Sequence, residues 1–138
     1  MAKKTNTIHY TICGLEYIYL VDLPIGIESG EEYIDIPPKQ IDALIARAII
    51  SQSIPIRGKE VLFLRKALGM NRNQWAEKLA MTASGILRWE RASHKRLSRI
   101  NEVAIRMICA EELGIKLDGK WSAVICDSEV PDRLEIAS

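Results

Sequence analysis

Apolar residues change their period along this chain. Ile8, Tyr10 and Ile12 alternate with polar residues, and Leu15-Glu16-Tyr17-Ile18-Tyr19-Leu20-Val21 is rich in aromatic and β-branched side chains, the composition of strands. Cys13-Gly14 offers a turn between the two, Pro24 and Ser29-Gly30 mark loops, and Tyr33-Ile34-Asp35-Ile36 reads as a third strand. So slight an antiparallel sheet needs a helix to pack on. Pro38 suits a first helical position. Ile41, Leu44, Ile45, Ala48 and Ile49 then recur at i, i+3, i+4, i+7 and i+8, which predicts an amphipathic helix of about three turns. A polar stretch broken by Pro55 and Gly58 follows, so residues 1–56 are expected to form a small α/β domain.

From Lys59 to Ala92 the period is helical throughout. Val61, Leu64 and Leu68 share a face that stops at Gly69, a residue suited to the left-handed conformation past a helix end. Asn71 and Gln74 have the spacing of a capping box before Trp75, Ala76 and Leu79. After Ala80-Met81, Thr82 caps a third helix with Ile86 and Trp89 inward and Ser84, Leu87, Arg88 and Arg91 on the other face. Leu97, Ile100, Val103, Ala104, Met107, Ile108 and Leu113 describe a long helix ending at Gly114, its apolar stripe wide enough for both a core and a partner subunit. Residues 57–114 thus read as an all-α domain. In the tail, residues 115–138, Asp118-Gly119 signals a hairpin turn, Trp121–Cys126 suits a strand, and the residues from Asp127 onward read as frayed. The fold class is α+β.

Net charge over 138 residues is +1, but its distribution is uneven. Residues 1–56 carry four Lys/Arg against seven Asp/Glu, residues 57–106 twelve against four, and residues 107–138 three against seven. A basic middle coinciding with short helices is the footprint of polyanion binding. Three scattered cysteines, Cys13, Cys109 and Cys126, suit reduced thiols. With no apolar signal-peptide core and no run of membrane-spanning length, a cytoplasmic location is expected. Neither a nucleophile–base constellation nor a glycine-rich phosphate loop is present, so the chain does not read as an enzyme and no cofactor is expected.

The run FLRKALGMNRNQWAEKLAMTASGILRWERA resembles the helix-turn-helix of the XRE (Cro and phage-repressor-like) family over roughly thirty residues without a gap. It departs at Ala80 and Ala92, where the family often has glycine; an ordinary turn accommodates alanine at either place. The resemblance implies a dimeric, sequence-specific repressor on double-stranded DNA with a palindromic operator. Its base-reading residues would be Ala83, Ser84, Gly85, Leu87 and Arg88, with Arg88 suited to guanine and Leu87 to a thymine methyl. Phosphate contacts would come from Arg72, Asn73, Gln74, Thr82, Arg91, Lys95 and Arg96, and Arg65 and Glu90 would form a partly buried ion pair. The order Tyr10, Cys13-Gly14-Leu15, Gly30-Glu31-Glu32-Tyr33, Ile36-Pro37, then helix and helix-turn-helix, is similar to YgiT-type proteins, among them MqsA-type antitoxins. That similarity implies an autoregulator of a toxin–antitoxin operon whose N-terminal domain engages a protein toxin. Members hold zinc through two Cys-x-x-Cys pairs; here Gly26-Ile27-Glu28-Ser29 stands at the second and the first has no counterpart, so a degenerate, zinc-free domain is expected, since zinc takes about four N or S ligands. Two other readings stay open: a toxin-neutralising interaction module with secondary DNA binding, and a stand-alone regulator without a toxin.

Overall fold

The computed structural model describes residues 7–117 and 129–137. Among the described residues, five helices accompany five short strands, an α+β architecture. β1 (Thr7–His9) pairs antiparallel with β2 (Ile18–Val21), with His9 opposite Tyr19. β3 (Ile25–Glu28) and β4 (Glu31–Ile34) form a separate hairpin. Its turn is Ser29-Gly30, with φ of 53° and 81°; positive φ at both central residues matches the twist of the flanking strands.

Three details of the expected sheet are corrected. The Tyr33–Ile36 segment does not join the first two strands; residues 31–34 pair instead with residues 25–28, a stretch to which the sequence assigned no strand. The third place beside β2 is taken by β5 (Leu134–Ile136), which runs parallel to it, so the sheet is mixed and not antiparallel. The last residues are therefore not all frayed. Leu134 and Ile136 are buried on either side of exposed Glu135, and three residues carry too little alternation to reveal a strand whose partner lies near the other end of the chain. The expected Asp118-Gly119 turn and Trp121–Cys126 strand lie outside the described residues.

α1 (Pro38–Ser51) starts with proline in its first turn and buries Ile41, Ile45, Ala46, Ile49 and Ile50. These meet Leu15, Tyr17, Ile18 and Leu20 from the sheet side and Val61, Leu64, Trp75 and Ile86 from the helices that follow, in one continuous hydrophobic cluster. α2 (Gly58–Ala67), α3 (Arg72–Leu79) and α4 (Ala83–Arg91) are short, too short to persist without that packing. α2 begins in contact with the end of α4: a Cβ at Gly58 would collide with the carbonyl oxygens of Trp89 and Ala92, so only glycine permits this approach.

The segment before α2 is buried, with Ile54, Ile56 and Arg57 all inside. It pairs with the loop after α4. Leu97 N–H donates to Ile56 O (3.0 Å), Gly58 N–H to Lys95 O (3.2 Å) and Lys59 N–H to Ser93 O (3.0 Å).

α5 (Arg99–Leu113) ends on Gly114 at φ 68°, as expected, but its inner face differs from the predicted stripe. Glu102, Val103, Ile105, Arg106, Cys109 and Ala110 are buried, whereas Ile100 is 81 % and Met107 54 % exposed. Glu102 and Arg106 stand in the core where apolar residues were expected, 3.4 Å apart. No helix among the described residues is long and apolar enough to cross a membrane.

Candidate nucleic-acid interface

The geometry centres on α3, a three-residue turn and α4. Asn71 Oδ1 accepts from the Gln74 N–H (2.8 Å) and Gln74 Oε1 from the Asn71 N–H (2.8 Å), a closed capping box that satisfies two donors at the α3 start. Thr82 Oγ1 accepts from the Gly85 N–H (3.1 Å) at the start of α4. Between them Ala80 adopts the left-handed conformation, φ 53° and ψ 46°. This corrects the expected ordinary turn: the residue sits where glycine costs least, and the Met81 N–H bond to Ala76 O (2.9 Å) closes the helix end over it.

α4 turns Ile86 and Glu90 inward and leaves Ser84, Arg88 and Arg91 exposed, one or two turns apart on one face. Ala83 and Leu87 are half-buried beside them. Gly85 is also half-buried, and a Cβ there would meet the terminal methyl of Met81 at 2.7 Å. That methyl is the far end of a flexible side chain, so a small shift of Met81 would make room and the packing alone does not require glycine. Eight of the expected residues line two clefts. Arg72, Asn73, Ala83, Ser84 and Leu87 line one, with Arg65 and Asn71. Arg88, Lys95 and Arg96 line the other, of about 310 Å³, over a floor of Trp89, Ala92 and Leu97. The side-chain oxygens of Gln74 and Thr82 already accept in the caps, which leaves the Gln74 amide NH2 and the Thr82 hydroxyl hydrogen to donate to a phosphate.

Arg65 and Glu90 form the expected pair, with Arg65 Nε donating to Oε2 (2.8 Å) and Nη2 to Oε1 (3.0 Å). A partner unforeseen in the sequence joins them: Arg72 Nε donates to Glu90 Oε1 at 3.0 Å. Two further buried carboxylates were also missed. Glu60 accepts from Arg57 Nε (2.8 Å), Arg57 Nη2 (2.7 Å) and the Tyr17 hydroxyl (3.1 Å). Glu102 accepts from the Ile56 N–H (3.1 Å), Arg96 Nη2 (3.0 Å) and Arg106 Nη2 (3.4 Å). The available signal was spacing: Arg57–Glu60 and Glu102–Arg106 stand at i,i+3 and i,i+4.

These pairings decide the electrostatics. The buried acids Glu60, Glu90 and Glu102 each meet a buried arginine, Arg57, Arg65 and Arg106 respectively. Residues 57–106 hold twelve cations and four acids, so removing three pairs leaves nine cations and one acid, Glu77. The excess positive charge of this segment therefore lies outside the buried pairs, and Arg72, Arg88, Arg91, Lys95 and Arg96 of it border α4.

The N-terminal half has the opposite sign: residues 7–38 contain six Asp/Glu and no Lys or Arg. Glu16 reaches across to Arg57 (2.7 Å) and Lys59 (3.1 Å). Burial works against its charge, but the hydrogen bonds from Arg57, the backbone and Lys59 outweigh that and hold it at about 2. Burial raises the Tyr17 hydroxyl, with the Glu60 charge adding to it, and pushes the Cys109 thiol up to about 12. The zinc implied by the YgiT-type resemblance does not fit the donors among the described residues. Gly26 packs on the Tyr33 ring. The His9 ring stacks on Tyr19 at 4.5 Å and bonds the Glu16 carbonyl at 2.7 Å. Among the described residues no three His, Cys, Asp or Glu side chains gather as a metal site.

A scan against protein-family models, a search of curated proteins and a search of solved structures each found no match to this chain.

Proposed function

We infer that this protein is an XRE-type, sequence-specific DNA-binding repressor that acts as a dimer on a palindromic operator, and an antitoxin-like autoregulator. The observation that carries the reading is the cation excess left bordering α4 once the three buried acids are neutralised. α4 is capped by Thr82, and its outward face carries Ser84, Arg88 and Arg91. Such a helix enters a major groove with small residues near its start and a guanidinium one turn later, positioned for guanine O6 and N7. Flanking cations give the sequence-independent, salt-dependent part of the affinity. Ile100, Ala104 and Met107, at i, i+4 and i+7 on the outer side of α5, supply the apolar surface for a two-fold contact. The test is a gel shift on the DNA upstream of its own gene over a salt series. The expected result is a discrete complex that weakens steeply with salt; equal affinity for that DNA and for unrelated duplex would remove sequence-specific repression.

One observation favours a protein partner for the N-terminal half. The β3–β4 hairpin carries Glu28, Glu31 and Glu32 and exposes Ile27 and Tyr33. An adjacent small reading frame whose product co-purifies with the chain would support the antitoxin reading, and a lone gene would leave a stand-alone regulator.

A further inference from the structure

A cleft of about 460 Å³ lies where the loop between β1 and β2, the start of α1 and one side of α2 come together. Tyr10 and Ile12 line it from the loop, Asp42 from α1, and Leu62, Phe63 and Lys66 from α2. An apolar wall with a few polar groups in it, at this volume, is the make-up of a small-molecule site.

Two opposite charges face this cleft and do not meet. Among the described residues the Asp42 side chain has neither an ion pair nor a hydrogen bond, and the same is true of Lys66. The other lysine on the wall is engaged elsewhere, since Lys59 holds Glu16 at 3.1 Å. Burial raises the half-buried Asp42 carboxyl above its ordinary value, and no donor offsets it. The Asp42 charge in turn adds to burial in raising the Tyr10 hydroxyl.

These groups narrow the chemistry of an occupant. A plain cation would satisfy Asp42 and be repelled by Lys66, and a plain anion would do the reverse. A zwitterion satisfies both, and an apolar side chain on it covers the wall, including Ile12, which is 86 % exposed. We propose that this cleft binds a free α-amino acid with a large apolar side chain, its ammonium on Asp42 and its carboxylate on Lys66. The assignment goes beyond the DNA-binding reading and does not depend on it. Ser93 also lines the cleft, and its carbonyl accepts from the Lys59 N–H at 3.0 Å. A bound amino acid therefore touches the sheet side, α2 and the loop after α4 together.

The test titrates the isotope-labelled full chain with L-leucine, L-methionine and L-phenylalanine, followed by amide chemical shifts. Each is taken to about 10 mM, a decade beyond a dissociation constant of roughly 1 mM. The expected result is saturable shifts around Tyr10, Asp42, Leu62 and Ser93 for at least one of the three. For the tightest of them, the amine lacking the carboxylate and the acid lacking the ammonium should each bind about 10-fold more weakly, the worth of one charged hydrogen bond. Asp42→Asn should abolish the preference over the acid, and Lys66→Met the preference over the amine. Neither substitution strands a partner, so both variants should melt with the parent. No saturable shift from any of the three amino acids overturns the proposal. So does equal binding of amino acid, amine and acid by the parent, or a preference that both variants retain.

Discussion

Replacing Glu90 by glutamine tests the energetic core of the α2–α4 contact. The carboxylate sits at the end of α4, 3 % exposed, and accepts three hydrogen bonds from two guanidinium groups. Glutamine keeps the shape and one carbonyl oxygen, but it removes the charge and turns an NH2 group towards one of the arginines. The two partners respond differently. Arg72 is exposed enough to turn into water, and its share is small, about 0–1 kcal/mol. Arg65 has 9 % of its side chain exposed and is held by Met70 O as well as Glu90. Its charge would be left buried without a counter-ion, a loss of about 3–5 kcal/mol. At roughly 3 °C per kcal/mol for a chain of this size, Glu90→Gln should melt about 9–15 °C below the parent. Urea titration should show a lower midpoint with an unchanged m value, since the surface exposed on unfolding is the same. A change within about 2 °C would refute the reasoning, placing the pair with exposed ion pairs of less than 1 kcal/mol. The apolar double replacement Arg65→Met/Glu90→Leu provides the control: with no charge stranded, it should recover most of the lost stability.

Ala80→Gly should stabilise the protein. A left-handed L-residue costs about 1–2 kcal/mol and glycine's extra unfolded-state entropy about 0.4–1 kcal/mol, which leaves a gain of roughly 0.5–1 kcal/mol in a denaturant titration. Glu16 gives a pH dependence of defined sign. Its folded-state pKa lies near 2, below the ordinary carboxylate value, so its contribution is full above about pH 4.5 and is lost as pH falls towards 2. Glu16→Gln should flatten that part of the stability–pH curve, by under ~1 kcal/mol because the side chain is half exposed. Arg88→Ala should cost about 1–3 kcal/mol in operator binding and relax preference at one position of each half-site in a selection from randomised DNA; full retention of the parental preference would take Arg88 out of the reading set. Ile100→Glu with Met107→Glu should convert a dimer seen by light scattering at micromolar concentration into a monomer without lowering the melting temperature, and a parent that is monomeric both free and on DNA would count against the α5 contact.

The parts legible in the sequence are those specified by neighbours along the chain. Asn71 with Gln74, Thr82 ahead of α4, Gly69 and Gly114 past helix ends, and Pro38 at the start of α1 each act within one turn, and each stands where its local chemistry places it. The parts that escaped depend on partners far away. β5 was invisible because its register is set by β2, and β3 because a run of Ile-Gly-Ile-Glu carries little strand signal until Tyr33 packs on Gly26. The inner face of α5 was misread for a different reason. Periodicity over apolar residues alone gives a stripe that includes Ile100 and Met107, without saying which of its members face the core, and leaves Glu102 and Arg106 off it. In the fold, Glu102 and Arg106 lie inside because each satisfies groups of the buried segment before α2: the Ile56 N–H for one, the Ile54 carbonyl for the other. A backbone donor or acceptor buried without a partner is costly, and no apolar side chain supplies one. Charge at i,i+4 on a helix beside an interrupted, Pro-containing segment is therefore a signal in its own right: it marks where a helix must supply hydrogen bonds to irregular backbone, and its apolar neighbours are then the residues left for another surface.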